Sequence, residues 1–173
     1  MSRGFSAREL TFDPAILKGD CVWLHAYWAE RAGDAGMPYW HDIQLIDFPN
    51  SVLPILVIMD VVPDDRLFVF RYFGTERVRL QHIEMTGKSV RQLEIPGLAD
   101  AMVEQNSRTV EARAPVLYRN SFRAPNGLVV EYDALRLPVT DDGENVGKVL
   151  ALSHFISDRD QILKDPHSGP TPV

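Results

Sequence analysis

Two arginines stand inside apolar runs that are typical of β-strands. Arg71 lies in FRYF (residues 70–73), and Arg136 lies in LRLPV (residues 135–139). A guanidinium on the buried face of a sheet must be paired or meet an anion, because an isolated charge is costly to bury. Its planar fork of N–H donors matches the oxygens of a carboxylate or a phosphate. Either arginine is therefore a candidate to receive the acidic group of a bound molecule.

Strand alternation determines which neighbours share a face with Arg136. It places Arg136 on the face of Tyr132 and Ala134. Two alternatives stay open: these faces contact solvent, or Glu131 and Asp133 neutralise the arginines. Further candidates for ligand contacts, as pocket walls or polar groups, are Tyr118, Tyr132 and His154.

A helix predicted from Asp20 to about Arg31 carries two adjacent aromatic stripes. They are built from Trp23 with Tyr27 and from Leu24 with Trp28, each pair at i, i+4 spacing. This face is wider than one core contact normally requires. We expect one stripe to pack on the parent domain and the other on a second copy, in a homodimer. The alternative is a helix sunk entirely into its own domain.

No catalytic or metal-binding set stands out. The chain lacks the Gly-x-Ser-x-Gly context of a nucleophile and the glycine-rich phosphate loops. Cys21 is the single cysteine, which excludes an internal disulfide and a cysteine-based metal cage. His41-Asp42 and the paired aspartates read as loop and turn residues. The sequence therefore predicts a protein that is not an enzyme.

Composition limits the partners. The 173 residues are 45% hydrophobic and 24% charged, as in ordinary globular proteins, and carry a formal net charge of −6. That charge argues against binding to nucleic acid or anionic membranes, which need a concentrated basic face. No signal peptide or membrane span is visible, so the sequence predicts a cytoplasmic protein.

The order of predicted elements indicates an α+β domain. Two strands of a hairpin (55–62 and 66–73) follow the aromatic helix, and a longer helix spans 97–113. Its helical stripe includes Leu98, Met102, Gln105 and Thr109. Three further strands (116–124, 128–139 and 146–157) complete a five-stranded antiparallel sheet with helices on one face. We expect a helix and linker in 1–40, the domain in 41–160 and a disordered tail in 161–173.

This order resembles the PAS domain, and is similar in particular to stand-alone bacterial PAS proteins. The resemblance covers about residues 20 to 157. Its single motifs are weak, whereas their order and spacing are more specific. They are DFP (47–49), LP (53–54), FRYFGT (70–75), MTGK (85–88), LRLPV (135–139) and DDG (141–143).

The resemblance implies a sensory or signalling protein. PAS domains bind small molecules between sheet and helices or serve as interaction modules, and they often dimerise through an N-terminal helix. No chain remains here for a kinase or DNA-binding unit, so the output would pass through a separate partner protein. The ligand is unknown. Flavin–thiol photochemistry and covalent haem are disfavoured, because Cys21 lies on the leading helix and no Cys-x-x-Cys-His is present.

Two other functions remain open. One is a small enzyme on a cone-shaped α+β fold, similar to isomerases and polyketide cyclases, for which His154 and Asp133 would be the residues to test. The other is a purely structural interaction module whose large aromatics fill the core.

Overall fold

Six antiparallel strands form one sheet in the order β1-β4-β5-β6-β2-β3. The computed structural model describes residues 4–123 and 127–157. The predicted tail, 161–173, lies outside them. The strands are Ser6–Leu10 (β1), Val57–Val61 (β2), Phe68–Phe73 (β3), Val116–Arg123 (β4), Val129–Thr140 (β5) and Val146–Phe155 (β6).

The described residues form three α-helices beside the sheet, and two of them lie in the crossover from β3 to β4. They are Asp20–Ala32 (α1), Thr75–Gln81 (α2) and Leu98–Ala112 (α3). α3 starts after Gly97, whose φ of 80° suits glycine, and stops at Arg113, two residues before a proline. The predicted helix at 97–113 is confirmed to within a residue at each end.

Helices cover both faces of the sheet. Alternation in β5 and β6 sends Leu135, Leu137, Leu150 and Leu152 into the apolar cluster that α1 also joins. Their neighbours Ala134, Arg136, Ala151 and Ser153 face α2 and α3. The two crossover helices share one face as expected, whereas the leading helix, expected outside the sheet domain, covers the other face. Periodicity shows that a strand is apolar on both sides, but it does not say what covers each side.

The sixth strand, β1, was not predicted. It pairs with β4 from Ser6 opposite Ser121 to Leu10 opposite Leu117. Four of its five residues are exposed, because it forms the outer edge of the sheet. A strand with no buried face leaves no hydrophobic alternation in the sequence, so the expected five strands were one too few. Both β1 and α1 precede the predicted domain boundary at residue 40. β1 belongs to the sheet, and α1 packs on it.

The aromatic residues of α1 pack against other parts of the same chain. Leu24, Tyr27 and Trp28 are 0%, 7% and 6% exposed. Trp28 donates its indole N–H to the carbonyl of Pro138 at 2.7 Å. The second stripe meets Phe48, whose ring centroid lies 5.2 Å from that of Trp23 and 5.0 Å from that of Tyr27. The loop before β2 therefore contacts the stripe that was expected to form a dimer interface, and Trp23 remains half-buried there. Packing of a second copy on this stripe stays a prediction.

Cys21 lies on the same buried face of α1. It is 2% exposed, and its Sγ is 3.8 Å from the carbonyl oxygen of Leu152. Burial, together with the negative charges of Asp133 and Asp20, raises the pKa of the Cys21 thiol to about 12. The thiol is therefore protonated and shielded at neutral pH.

Among the described residues, no helix combines the length and the apolar character needed to cross a membrane.

We predict that Trp28→Phe lowers the free energy of unfolding by about 2 kcal/mol, because the buried carbonyl of Pro138 loses its donor. Urea denaturation measures this change. Val22→Ala, at a 51%-exposed position of the same helix, is the control and should stay within about 0.5 kcal/mol of the parent. If Trp28→Phe instead leaves stability unchanged and converts a dimer into a monomer, α1 packs on a second copy.

We also predict that Cys21 reacts with a disulfide reagent at least about a hundredfold more slowly in the folded protein than in urea, because only the thiolate attacks. The measurement is the rate at pH 8 at which the reagent releases its own thiol as Cys21 reacts. Comparable rates in the two states would show that α1 does not bury this side chain.

Candidate functional site

A small cavity lies between the sheet and the crossover helices. Its volume is about 10 Å³, room for about one water molecule. Its apolar walls include Val57, Leu98, Ala101, Met102, Ala134 and Ala151, and Phe5 adds a wall from the segment before β1. Its polar groups are Arg77, Gln105, Asn120, Tyr132, Arg136 and Ser153. Six of the thirteen lining residues carry polar side chains, which is unusual for a space this deep in a core.

Arg136 lies at the centre of a hydrogen-bonded network that joins β5 to α3. The side chain is 4% exposed, and its Nε donates to Gln105 Oε1 at 3.1 Å. Its Nη1 donates to Asn106 Oδ1 at 2.6 Å. Gln105 in turn donates to Asn120 Oδ1 on β4 at 2.8 Å. Neutral amide oxygens, rather than carboxylates, therefore satisfy this guanidinium.

The charge on Arg136 is costly in this setting. Its pKa is lowered to about 10, chiefly by burial and also by the nearby cation of Arg77, while Tyr132 opposes the shift. A hydrogen-bonded network of dipoles reduces the cost of such a charge but leaves it uncompensated.

Arg77 is a second buried guanidinium on the same cavity. It extends from α2, is 6% exposed, and donates through Nη1 to Ser153 Oγ at 3.3 Å. Its Nε has no hydrogen-bond partner. Burial lowers the pKa of Arg77 as well. The cavity therefore holds an unused donor beside a second positive charge.

The two cavity arginines differ from the arginines near the surface. Arg71, Arg108 and Arg119 each pair with a carboxylate, at 2.8, 3.2 and 2.8 Å. Within residues 4–123 and 127–157, neither Arg77 nor Arg136 has such a partner. Electrostatically, the cavity is suited to an anion.

The structure brings two of the sequence-derived candidates together. Tyr132 and Arg136 both line the cavity, on one face of β5 as alternation predicts. Tyr118 lies opposite Ala134 in the neighbouring strand, and its hydroxyl is 3.4 Å from a carboxylate oxygen of Glu9. Whether these residues bind a ligand stays a prediction.

The other two candidates lie away from the cavity. Arg71 is 45% exposed at the sheet edge, where it pairs with Asp60 and lies near Trp40. His154 follows the cavity residue Ser153 and so points to the α1 face, where it packs against the backbone of Gly19. β3 is the last strand of the sheet, and Arg71 lies on an uncovered part of it. The side chain is therefore exposed and pairs with an aspartate.

Sequence reasoning missed Arg77, Asn106 and Asn120. Gln105 was noted as part of the α3 stripe, and a glutamine in an apolar stripe is the signal that a polar network lies beneath it. No comparable signal exists for Arg77, because a seven-residue helix is too short for periodicity to separate its faces.

No acid–base pair is arranged for catalysis around His154. Its cross-strand neighbour Asp133 is engaged by Arg119, whose Nε and Nη2 donate to the two carboxylate oxygens at 2.8 and 3.0 Å. In the part of the chain that the structure describes, no three acidic, histidine or cysteine side chains are grouped to hold a metal ion.

We predict that Gln105→Leu lowers the free energy of unfolding by about 3 kcal/mol, because it strands the Nε of Arg136 and the Oδ1 of Asn120 in the core. Glu104→Leu introduces the same side chain at the exposed neighbouring position and should change stability by less than about 0.5 kcal/mol. Chemical denaturation compares them. Equal effects would mean that the network contributes nothing.

Comparison with known proteins yields structural matches alone. No protein-family profile and no curated protein sequence matches the chain. Among solved structures, a fungal LOV-domain photoreceptor is 21% identical, covers 79% of this chain and 92% of its own, and has a TM-score of 0.46. The LOV domain of Aureochrome1, a blue-light photoreceptor, is 13% identical over 69% of this chain and 87% of its own, with a TM-score of 0.47.

A third match is VqmA from Vibrio cholerae, solved as a complex with ligand and DNA. It is 15% identical, covers 61% of this chain and 47% of VqmA, and has a TM-score of 0.49. The match thus spans about half the length of VqmA. The chain is similar to these LOV and VqmA structures in its antiparallel sheet and helices. The identities and TM-scores are low, so the fold of this chain is defined by its own strand order and crossover.

One expectation from the sequence is corrected by these comparisons. The negative charge was taken to exclude a nucleic-acid partner, but VqmA is described as bound to DNA. The exclusion of a nucleic-acid partner is therefore withdrawn.

Proposed function

We propose that the chain is a sensory module of the PAS type that binds a small ligand between its sheet and the α2–α3 crossover. The single observation that carries this proposal is the polar cavity at that position, with Arg77 and Arg136 buried on its wall. Stability alone does not account for two uncompensated buried charges, because apolar residues of similar size would cost less. A binding function accounts for them.

The signal would pass from the cavity to a partner protein without catalysis by this chain. On α3, Gln105 and Asn106 bond to Arg136 of β5, and on α2, Arg77 bonds to Ser153 of β6. A ligand that contacts the two arginines can shift both helices relative to the sheet, because each helix is hydrogen-bonded to the sheet through one of them. Such a shift changes the outer surface of the crossover, which a partner can read.

A flavin does not fit this proposal. The cavity has room for about one water molecule, far less than an isoalloxazine ring requires. Cys21, the single cysteine, donates toward Leu152 on the α1 face, so the sheet separates its thiol from the cavity.

A second candidate function is an interaction module with a filled core. The small volume of the cavity favours it, since Met59, Phe70 and Met85 are all completely buried on the same side of the sheet. In this case the network would hold the crossover rigid, and the chain would bind only proteins.

Native mass spectrometry beside a denatured run of the same sample separates the two. The proposal predicts an extra mass on the folded protein that disappears on denaturation, or one that appears when small metabolites are added. Folded protein that keeps its bare mass under all these conditions would favour the filled-core module. The same spectrum tests the homodimer, which stays a prediction.

A further inference from the structure

We propose that the cavity recognises a short-chain carboxylate, such as acetate, whose oxygens bind between Arg77 and Arg136. This inference rests on the proposed function, because it names the ligand class of the same site. The observation behind it is an unused donor: Arg77 lines the cavity, is 6% exposed, and has no hydrogen-bond partner for its Nε.

Charge favours an anion over a neutral ligand. Both cavity arginines are cationic, and neither forms an ion pair within the described residues. A single carboxylate would leave one net positive charge where there are now two. It would also give Arg77 a partner better suited than the hydroxyl of Ser153, since N–H donors of a guanidinium bind carboxylates with charge-assisted hydrogen bonds.

Size and wall chemistry favour a small carboxylate over a phosphate. The cavity admits about one water molecule, so even acetate requires a side chain to move. Met102 is unbranched and adaptable, and Phe5 lies before the edge strand β1, so either can yield. Ala101 and Ala151 offer a surface for a methyl group, whereas a phosphate dianion would bring four oxygens against it.

The test is isothermal titration calorimetry of the full chain in acetate-free buffer. Sodium acetate and acetamide are compared at constant ionic strength set with sodium chloride. They have the same shape and differ in charge. We expect saturable binding of acetate and affinity for acetamide that is at least about tenfold lower.

Variants assign the binding to the cavity. Arg77→Met removes the guanidinium but keeps an unbranched side chain, and it should weaken acetate binding at least about tenfold. Arg108→Met is the matched control, because Arg108 is 42% exposed on α3 and pairs with Glu9. It should leave the affinity unchanged. Arg136→Met, the second cavity variant, should weaken binding as well. If it fails to fold, the result for Arg77→Met is sufficient by itself.

Three results would overturn the inference. Acetamide binding as tightly as acetate would show a cavity that takes neutral ligands; the proposed function would stand and the ligand class would be wrong. Equal losses in Arg77→Met and Arg108→Met would assign binding to surface charge. Failure of both ligands to bind would also refute the carboxylate, and native mass spectrometry then decides the proposed function separately.

Discussion

The buried guanidinium of Arg136 is the constraint on which the α3 side of the molecule depends. A cation in a core needs oxygen atoms around it, and Gln105 and Asn106 supply them from successive positions of α3. Their hydrogen bonds fix how α3 lies on β5. Asn120 extends the same network to β4. Gln105, Asn120 and Arg136 form part of the cavity wall.

The two faces of the sheet have different chemistry. On the α1 side, leucines and aromatic rings form an apolar layer in which Trp28 makes one hydrogen bond to the sheet. On the α2–α3 side, apolar packing surrounds a polar centre that holds two positive charges. In the proposed function, the first face accounts for stability and the second for recognition. This division explains why Cys21 and His154, both on the α1 side, take no part in the proposed site.

Local patterns predicted much of this arrangement. The limits of α3 follow from Gly97 and Pro115, and the face of Arg136 follows from strand alternation. Relations between distant segments were not predictable. The α1 stripes showed that two surfaces are covered, but not that residue 48 covers one of them. Strand β1 has no buried face, and Arg77 lies on a helix of two turns, so neither leaves a periodic signal.

The central claim is that Arg77 and Arg136 are both buried and have no acidic partner among the described residues. Side-chain ¹⁵N NMR measures hydrogen exchange at each arginine Nε–H directly, with the exposed Arg108 as an internal reference. The account predicts that both signals exchange at least about tenfold more slowly than that of Arg108, because water does not reach them. Exchange as fast as at Arg108 for both residues would contradict it, since the guanidinium groups would then be solvated and would need no anion.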